Sequence, residues 1–175
     1  KKLVSSSAKW GSSHALGAAS RFVFGVLDAQ GAVNEAACEF LLRAAASKPC
    51  TFHRAIDASA NLQDSLKKIM QLGFQRVLTS GGKNSLSEGL DQVLELLHLA
   101  QDQLIVMPGG GLKPAHVPIL KASGYLKEIH ASCKLPKASS NQFTNPELSF
   151  SSAPLDYSTI FGIDPTVVEE FKSVL

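Results

Sequence analysis

The stretch "VMPGGGL" (residues 106–112) bears most directly on the fold, because it joins an apolar segment to three consecutive glycines. Glycine weakens a strand and costs backbone entropy to order, so three together indicate a close approach to the backbone. An earlier segment, "RVLTSGG" (residues 76–82), ends in the same way. The recurrence predicts a repeated unit in which a phosphate or another chain segment comes close to the end of each strand.

Short apolar strands alternate with amphipathic helices on both sides of these two segments. Strand starts lie roughly 23–29 residues apart, a βα repeat of the kind that builds parallel sheets. Asn34 and Asp164 are predicted helix N-caps, and Gly73 is a predicted helix end. From residue 133 to residue 162, Ser, Pro and Asn predict a long irregular segment. The predicted strands cover residues 21–27, 48–57, 74–82, 103–111 and 126–132.

Five βα units fit either an open doubly wound sheet or part of an eight-stranded barrel. Four of the five strands run directly into polar residues or glycines, at His53–Arg54, Thr79–Gly81, Gly109–Gly111 and His130–Ser132. A ring of such strand ends is typical of a barrel mouth. The sequence therefore predicts an α/β fold of the TIM-like (β/α) barrel type.

Composition indicates one globular domain, because the 175 residues are 45% hydrophobic and 18% charged. A net charge of +2 with scattered Lys and Arg predicts no nucleic-acid partner, and no apolar run is long enough to predict a membrane span. Three widely spaced cysteines predict no disulfide framework and a cytoplasmic location. Residues 1–16 are predicted to be a linker or remnant helix, and residues 17–175 the domain.

The segment "TFHRAID" (residues 51–57) carries the candidate catalytic residues His53, Arg54 and Asp57. Histidine titrates near neutral pH, and arginine binds carboxylates or phosphates through two parallel hydrogen bonds. Asp57 could orient either side chain. The alternative is a structural Arg–Asp pair that closes the strand–loop junction, with His53 only hydrogen-bonded.

The glycine loops are the candidate anion site, because backbone N–H groups and a helix N-terminus attract negative charge. The alternative is a tight turn in which the glycines supply positive φ angles. The candidate anion-binding residues are Ser80, Gly81, Gly82, Gly109, Gly110, Gly111 and Ser132.

Two residues, His130 and Cys133, bracket the end of the fifth predicted strand. Imidazole and thiolate groups suit soft metals, and Cys50 is the other cysteine next to a strand end. Cys133, His130 and Cys50 are therefore the candidate metal ligands. The alternative is that they are ordinary residues of the mouth.

Five motifs in this order resemble the copper homeostasis protein CutC family over about residues 17–132. They are "FVFGVLDAQGAVN", "TFHRAIDA", "LGFQRVLTSGG", "IVMPGGGL" and "EIHAS". The resemblance implies a TIM-like barrel with about five of eight βα units present, N-terminally incomplete. It also implies copper tolerance or Cu(I) binding, a homo-oligomer, and a cytosolic location, or also a nuclear one in a eukaryote. The family's pattern is altered after "HAS", where Cys133 and Lys134 follow.

Three functions remain open on the sequence. The chain could handle copper, act as an enzyme on a small phosphorylated or carboxylated compound through Arg54 and His53, or be an inactive relative. If three units are absent, the strands at residues 21–27 and 126–132 lose neighbours, and unpaired edges of this kind associate. The sequence therefore predicts either a remnant of a longer gene product or a chain that is stable only through self-association across these edges.

Overall fold

The computed structural model describes residues 19–140, 143 and 159–175. Its main sheet has four parallel strands in the order β1-β2-β3-β4. This arrangement confirms the predicted α/β class with a parallel sheet, whereas closure into a barrel stays a prediction. The predicted linker at residues 1–16 lies outside the described residues. The strands are β1 (Phe22–Phe24), β2 (Cys50–Phe52), β3 (Arg76–Thr79) and β4 (Ile105–Pro108).

The helices begin and end where local chemistry predicts. The side chains of Asn34 and Asp164 accept hydrogen bonds from backbone N–H groups of the first turns of their helices, and Gly73 ends the second helix at φ +87°. The described helices are α1 (Glu35–Ala44), α2 (Leu62–Leu72), α3 (Leu86–Ala100), α4 (His116–Lys121) and α5 (Pro165–Val174), with a short 3₁₀ helix at Arg54–Ala58.

The core lies between the sheet and the helices. Phe52, Val77 and Val106 are at most 1% exposed, and the first two of these are partners in the register of the sheet. The opposite face carries Val23 and Arg76, of which Val23 is 63% exposed. Parallel sheets are normally covered on both faces. Here the described helices cover one face of the sheet.

The prediction of a fifth strand is wrong, because residues 126–132 form no β-ladder with a neighbouring strand. They do lie beside β4, where the His130 N–H donates to the Pro108 carbonyl at 2.9 Å. A two-pronged ion pair between Arg76 and Glu128, at 2.8–3.0 Å, holds the same segment. A second ion pair joins Lys127 to Asp102 at 2.7 Å. One backbone hydrogen bond and two ion pairs thus position this segment without making it a strand.

The irregular segment predicted for residues 133–162 is also partly wrong. Strands β5 (Lys134–Ala138) and β6 (Thr159–Ile163) pair antiparallel within it. Neither strand has a consistently buried face, so no alternation of apolar and polar residues marks them in the sequence. Of the residues between them, 141–142 and 144–158 lie outside the described ones.

The outer edge of β1 supports a prediction about assembly. Within the described residues β1 pairs only with β2, and Val23 is 63% exposed. An apolar, unpaired edge associates with another chain, so we expect dimers or larger species in sedimentation at micromolar concentration. Val23→Lys should shift the chain toward the monomer, while Phe40→Lys, at an exposed position of α1, should not. An unmodified chain that sediments as an 18.6 kDa monomer would contradict this expectation.

Candidate functional site

The candidate site starts where β2 ends and the 3₁₀ helix Arg54–Ala58 begins. His53 caps this helix, since its Nδ1 accepts the backbone N–H of Ala55 at 3.1 Å. With Nδ1 accepting, the proton of a neutral His53 resides on Nε2. In this form the free nitrogen of His53 is a hydrogen-bond donor and not a base.

Asp57 orients Arg54 and not His53. The Arg54 Nε donates to Asp57 Oδ2 at 2.7 Å, and the Asp57 side chain is only 8% exposed. Its Oδ1 also accepts the Thr79 hydroxyl at 2.5 Å and the Gly82 N–H at 3.0 Å, and the Ser80 N–H donates to the carboxylate at 3.1 Å. The Arg–Asp pair that closes the strand–loop junction is therefore present, and it is embedded in a larger network.

The Asp57 carboxylate is held in its ionised form by these donors. Burial works to raise its pKa, but the hydrogen bonds from Thr79, Arg54, Gly82 and Ser80 outweigh burial and hold the pKa below its usual value. Asp57 is thus negatively charged at neutral pH. It accepts hydrogen bonds from the N–H groups of Ser80 and Gly82, in the loop of residues 79–82 that we call the first glycine loop.

The three glycines of "VMPGGGL" make room for neighbouring groups. A Cβ at Gly109 would lie 2.7 Å from Leu78 Cδ1, and a Cβ at Gly110 would lie 3.1 Å from Arg54 Nη1. Gly110 and Gly111 also have positive φ, at +82° and +84°. The sequence predicted that something comes close to the backbone here, and in the structure other segments of the chain do so. The tight turn with positive φ angles is present as well.

The first glycine loop packs against α3 at a contact between two glycines, Gly81 in the loop and Gly89 in the helix. A Cβ at Gly81 would come within 3.0 Å of the Gly89 carbonyl carbon, and one at Gly89 would come within 3.0 Å of the Ser80 carbonyl carbon. This contact sets the distance between the end of β3 and α3. Any side chain at either glycine would push the two apart.

The hydrogen-bond donors of Ser80, Gly81 and Gly82 are already used within the chain. The N–H groups of Ser80 and Gly82 donate to Asp57, and that of Gly81 donates to Thr79. Arg54 Nη2 donates to the Ser80 hydroxyl at 2.5 Å and to the Lys83 carbonyl at 3.0 Å.

Arg54 Nη1 and the N–H groups of Gly110 and Gly111 are neighbouring donors that have no acceptor among the described residues. Arg54 also borders an open cleft of about 300 Å³, which Asp57, Lys83 and Glu88 line as well. Ser132, another predicted anion ligand, lies on the exposed segment beyond His130.

The candidate metal ligands do not meet. Cys50 begins β2 and is buried, with its Sγ 3.2 Å from the Lys48 carbonyl. His130 and Cys133 lie beyond the opposite end of the sheet, next to the end of β4. Residues 19–140, 143 and 159–175 contain no cluster of three His, Cys, Asp or Glu side chains that could hold a metal. These three residues therefore do not fit a shared copper site, and the predicted copper binding is untested.

Sequence reasoning missed two features of this edge. The sequence marks Thr79 as a polar strand end, and the structure adds that its hydroxyl donates to Asp57. The signal for this role is the position of Thr79 two residues before Gly81. The second feature is the position of His116, which no motif in the sequence indicates. Its Nδ1 accepts the Lys113 N–H at 3.0 Å and its Nε2 lies 3.1 Å from the Ser87 hydroxyl, which links α3 to α4.

Comparison with known proteins identifies the family. The family model described as the CutC family matches residues 12–135, well over half of the chain. The chain belongs to the CutC family. The predicted resemblance is thereby confirmed, and within the described part of this CutC-family chain no helix is long and apolar enough to cross a bilayer.

Relatives of this CutC-family chain are longer than it is. A CutC protein of Xanthomonas campestris pv. campestris (strain B100) is 39% identical over 127 residues, which are 73% of this chain and 53% of that protein. One of Agrobacterium fabrum (strain C58) is 33% identical over 153 residues, 87% of this chain and 59% of that protein. The chain thus spans between half and three fifths of the length of these relatives.

A solved structure has a similar fold. It is the crystal structure assigned as the copper homeostasis protein CutC of Streptococcus agalactiae, with a TM-score of 0.56 and 27% sequence identity. The match covers 62% of this chain and 53% of that one.

Proposed function

We propose that this CutC-family chain serves in copper homeostasis through a small anionic ligand, which it binds at the carboxyl edge of its parallel sheet. The observation that carries the proposal is the position of Arg54, whose Nη1 lies next to Gly110 and has no acceptor among the described residues. We further propose that this edge is part of the mouth of a TIM-like barrel, where such ligands bind. We also propose that the chain forms a homo-oligomer in the cytoplasm.

The geometry supports binding because Arg54 is already oriented. Asp57 holds Nε at 2.7 Å, and Ser80 and the Lys83 carbonyl hold Nη2. An arginine fixed in this way loses little side-chain entropy when an anion binds, so most of the hydrogen-bond energy contributes to affinity. The N–H groups of Gly110 and Gly111 add uncharged donors beside it.

Titration calorimetry with acetate and with phosphate tests this site. Arg54→Lys keeps the charge but removes the planar fork, so we expect the affinity for the better-bound anion to fall about tenfold or more. Arg43→Lys is the matched control, since Arg43 lies on α1 with a side chain 70% exposed. Equal affinity in the unmodified chain and Arg54→Lys would refute the proposed site.

A second candidate function is direct Cu(I) binding, with the ion as cargo. The observation in its favour is that His130 and Cys133 lie three residues apart on an accessible segment at the same edge. Soft Cu(I) prefers thiolates. We expect Cys133→Ser to lower the Cu(I) affinity measured by competition with a chelator, and Cys50→Ser, a buried control, to leave it unchanged. If Cys133→Ser has no effect, the described residues contain no such site.

A further inference from the structure

We infer that the proposed anion site selects a carboxylate monoanion over dianionic phosphate or sulfate, and that Asp57 sets this selectivity. The inference rests on the proposed function, since it names the ligand class of the same site. Three observations carry it: the occupied N–H groups of the first glycine loop, the arrangement of the free donors beside Gly110, and the balance of charge around Arg54.

Asp57 occupies the place that a phosphate would need. Consecutive N–H groups of a glycine loop form a concave site for phosphate oxygens. Here the Ser80 and Gly82 N–H groups donate to the Asp57 carboxylate, at 3.1 Å and 3.0 Å. The anion bound by this loop is therefore part of the chain itself, and an external ligand must use other donors.

The three neighbouring donors beside Gly110 suit two oxygens better than three. Arg54 Nη1 and the N–H groups of Gly110 and Gly111 lack acceptors among the described residues. A carboxylate presents two oxygens in one plane, which an arginine nitrogen and neighbouring amides can satisfy together. A phosphate or sulfate would leave oxygens that this set does not reach.

The charge around the site favours a single negative charge on the ligand. Asp57 Oδ2 lies 2.7 Å from Arg54 Nε and neutralises much of the guanidinium charge. The adjoining cleft is lined by one further cation, Lys83, and one further anion, Glu88, which offset each other. A second negative charge on the ligand therefore meets no uncompensated cation, while the ionised Asp57 repels it.

Binding to the unmodified chain at about pH 7.5 tests the inference without any risk to folding. We expect acetate to bind about tenfold tighter than sulfate at equal ionic strength. Methyl phosphate should bind more tightly at about pH 5.5 than at about pH 7.5, because it loses its second proton near pH 6. Sulfate affinity equal to or above that of acetate would overturn the inference and leave the proposed site intact. Failure of every anion to bind would overturn both.

A pair of variants assigns the selectivity to Asp57. Asp57→Asn removes the negative charge, so the ratio of acetate to sulfate affinity should fall toward one. Glu88→Gln, the matched control in the same cleft, should leave the ratio near that of the unmodified chain. A folded Asp57→Asn chain with an unchanged ratio would remove Asp57 from this role. If Asp57→Asn does not fold, a methyl phosphate affinity that does not change with pH would overturn the inference.

Discussion

Replacing Asp57 with alanine is expected to lower the free energy of unfolding by about 3–5 kcal/mol, among the largest effects of any single substitution in this chain. The side chain is 8% exposed and accepts hydrogen bonds from Thr79, Ser80, Gly82 and Arg54. Its removal leaves two backbone N–H groups and a buried hydroxyl without their acceptor, and a guanidinium without its counter-charge.

Urea denaturation followed by circular dichroism measures this loss. Asp64→Ala is the control, because Asp64 is also an aspartate that pairs with a basic side chain, Lys67, but is 71% exposed. The control should lose less than about 1 kcal/mol. If Asp57→Ala loses no more than Asp64→Ala, the network around Asp57 does not hold the strand–loop junction together.

The second large effect is expected at Gly89, inside helix α3. Alanine normally stabilises a helix interior relative to glycine, by about 0.5–1 kcal/mol. Here the sign should reverse, because a Cβ at Gly89 would press against the backbone of Ser80 and Gly81. We expect Gly89→Ala to lose about 3 kcal/mol, since backbone atoms cannot move aside as a flexible side chain can.

Thermal and urea denaturation of Gly89→Ala and Asp91→Ala separate packing from helix propensity. Asp91 lies on the same helix and is exposed, so its replacement should change stability by no more than about 0.5 kcal/mol. A Gly89→Ala chain as stable as the unmodified one would mean that the end of β3 and α3 are not in the close contact described.

Local signals in the sequence predicted local structure well. The caps at Asn34 and Asp164 and the left-handed Gly73 are decided by the residue and its immediate neighbours, and all three are confirmed. The strand predicted at residues 126–132 failed because a strand needs a ladder of partners, which the segment's own composition does not report. Strands β5 and β6 were missed because neither has a buried face to impose a pattern.

The candidate site was predictable in its residue types and less so in its contacts. "TFHRAID" identified His53, Arg54 and Asp57, but their partners lie far along the chain: Asp57 meets Thr79, 22 residues away, and Arg54 meets Ser80, 26 residues away. No spacing rule links such pairs. For the same reason the sequence could not show that Asp57 occupies the N–H groups predicted to bind an external anion.

The central claim is that an anion binds between Arg54 Nη1 and the N–H groups of Gly110 and Gly111. A ¹H–¹⁵N NMR titration of the full chain with acetate tests it most directly, because each glycine amide reports its own surroundings. We expect saturable shifts at Gly110 and Gly111 and at the Arg54 guanidinium, and none at Gly73 and Gly124, whose φ angles are also positive. Shifts of equal size at all four glycines, or no saturable shift at Gly110 and Gly111, would contradict it.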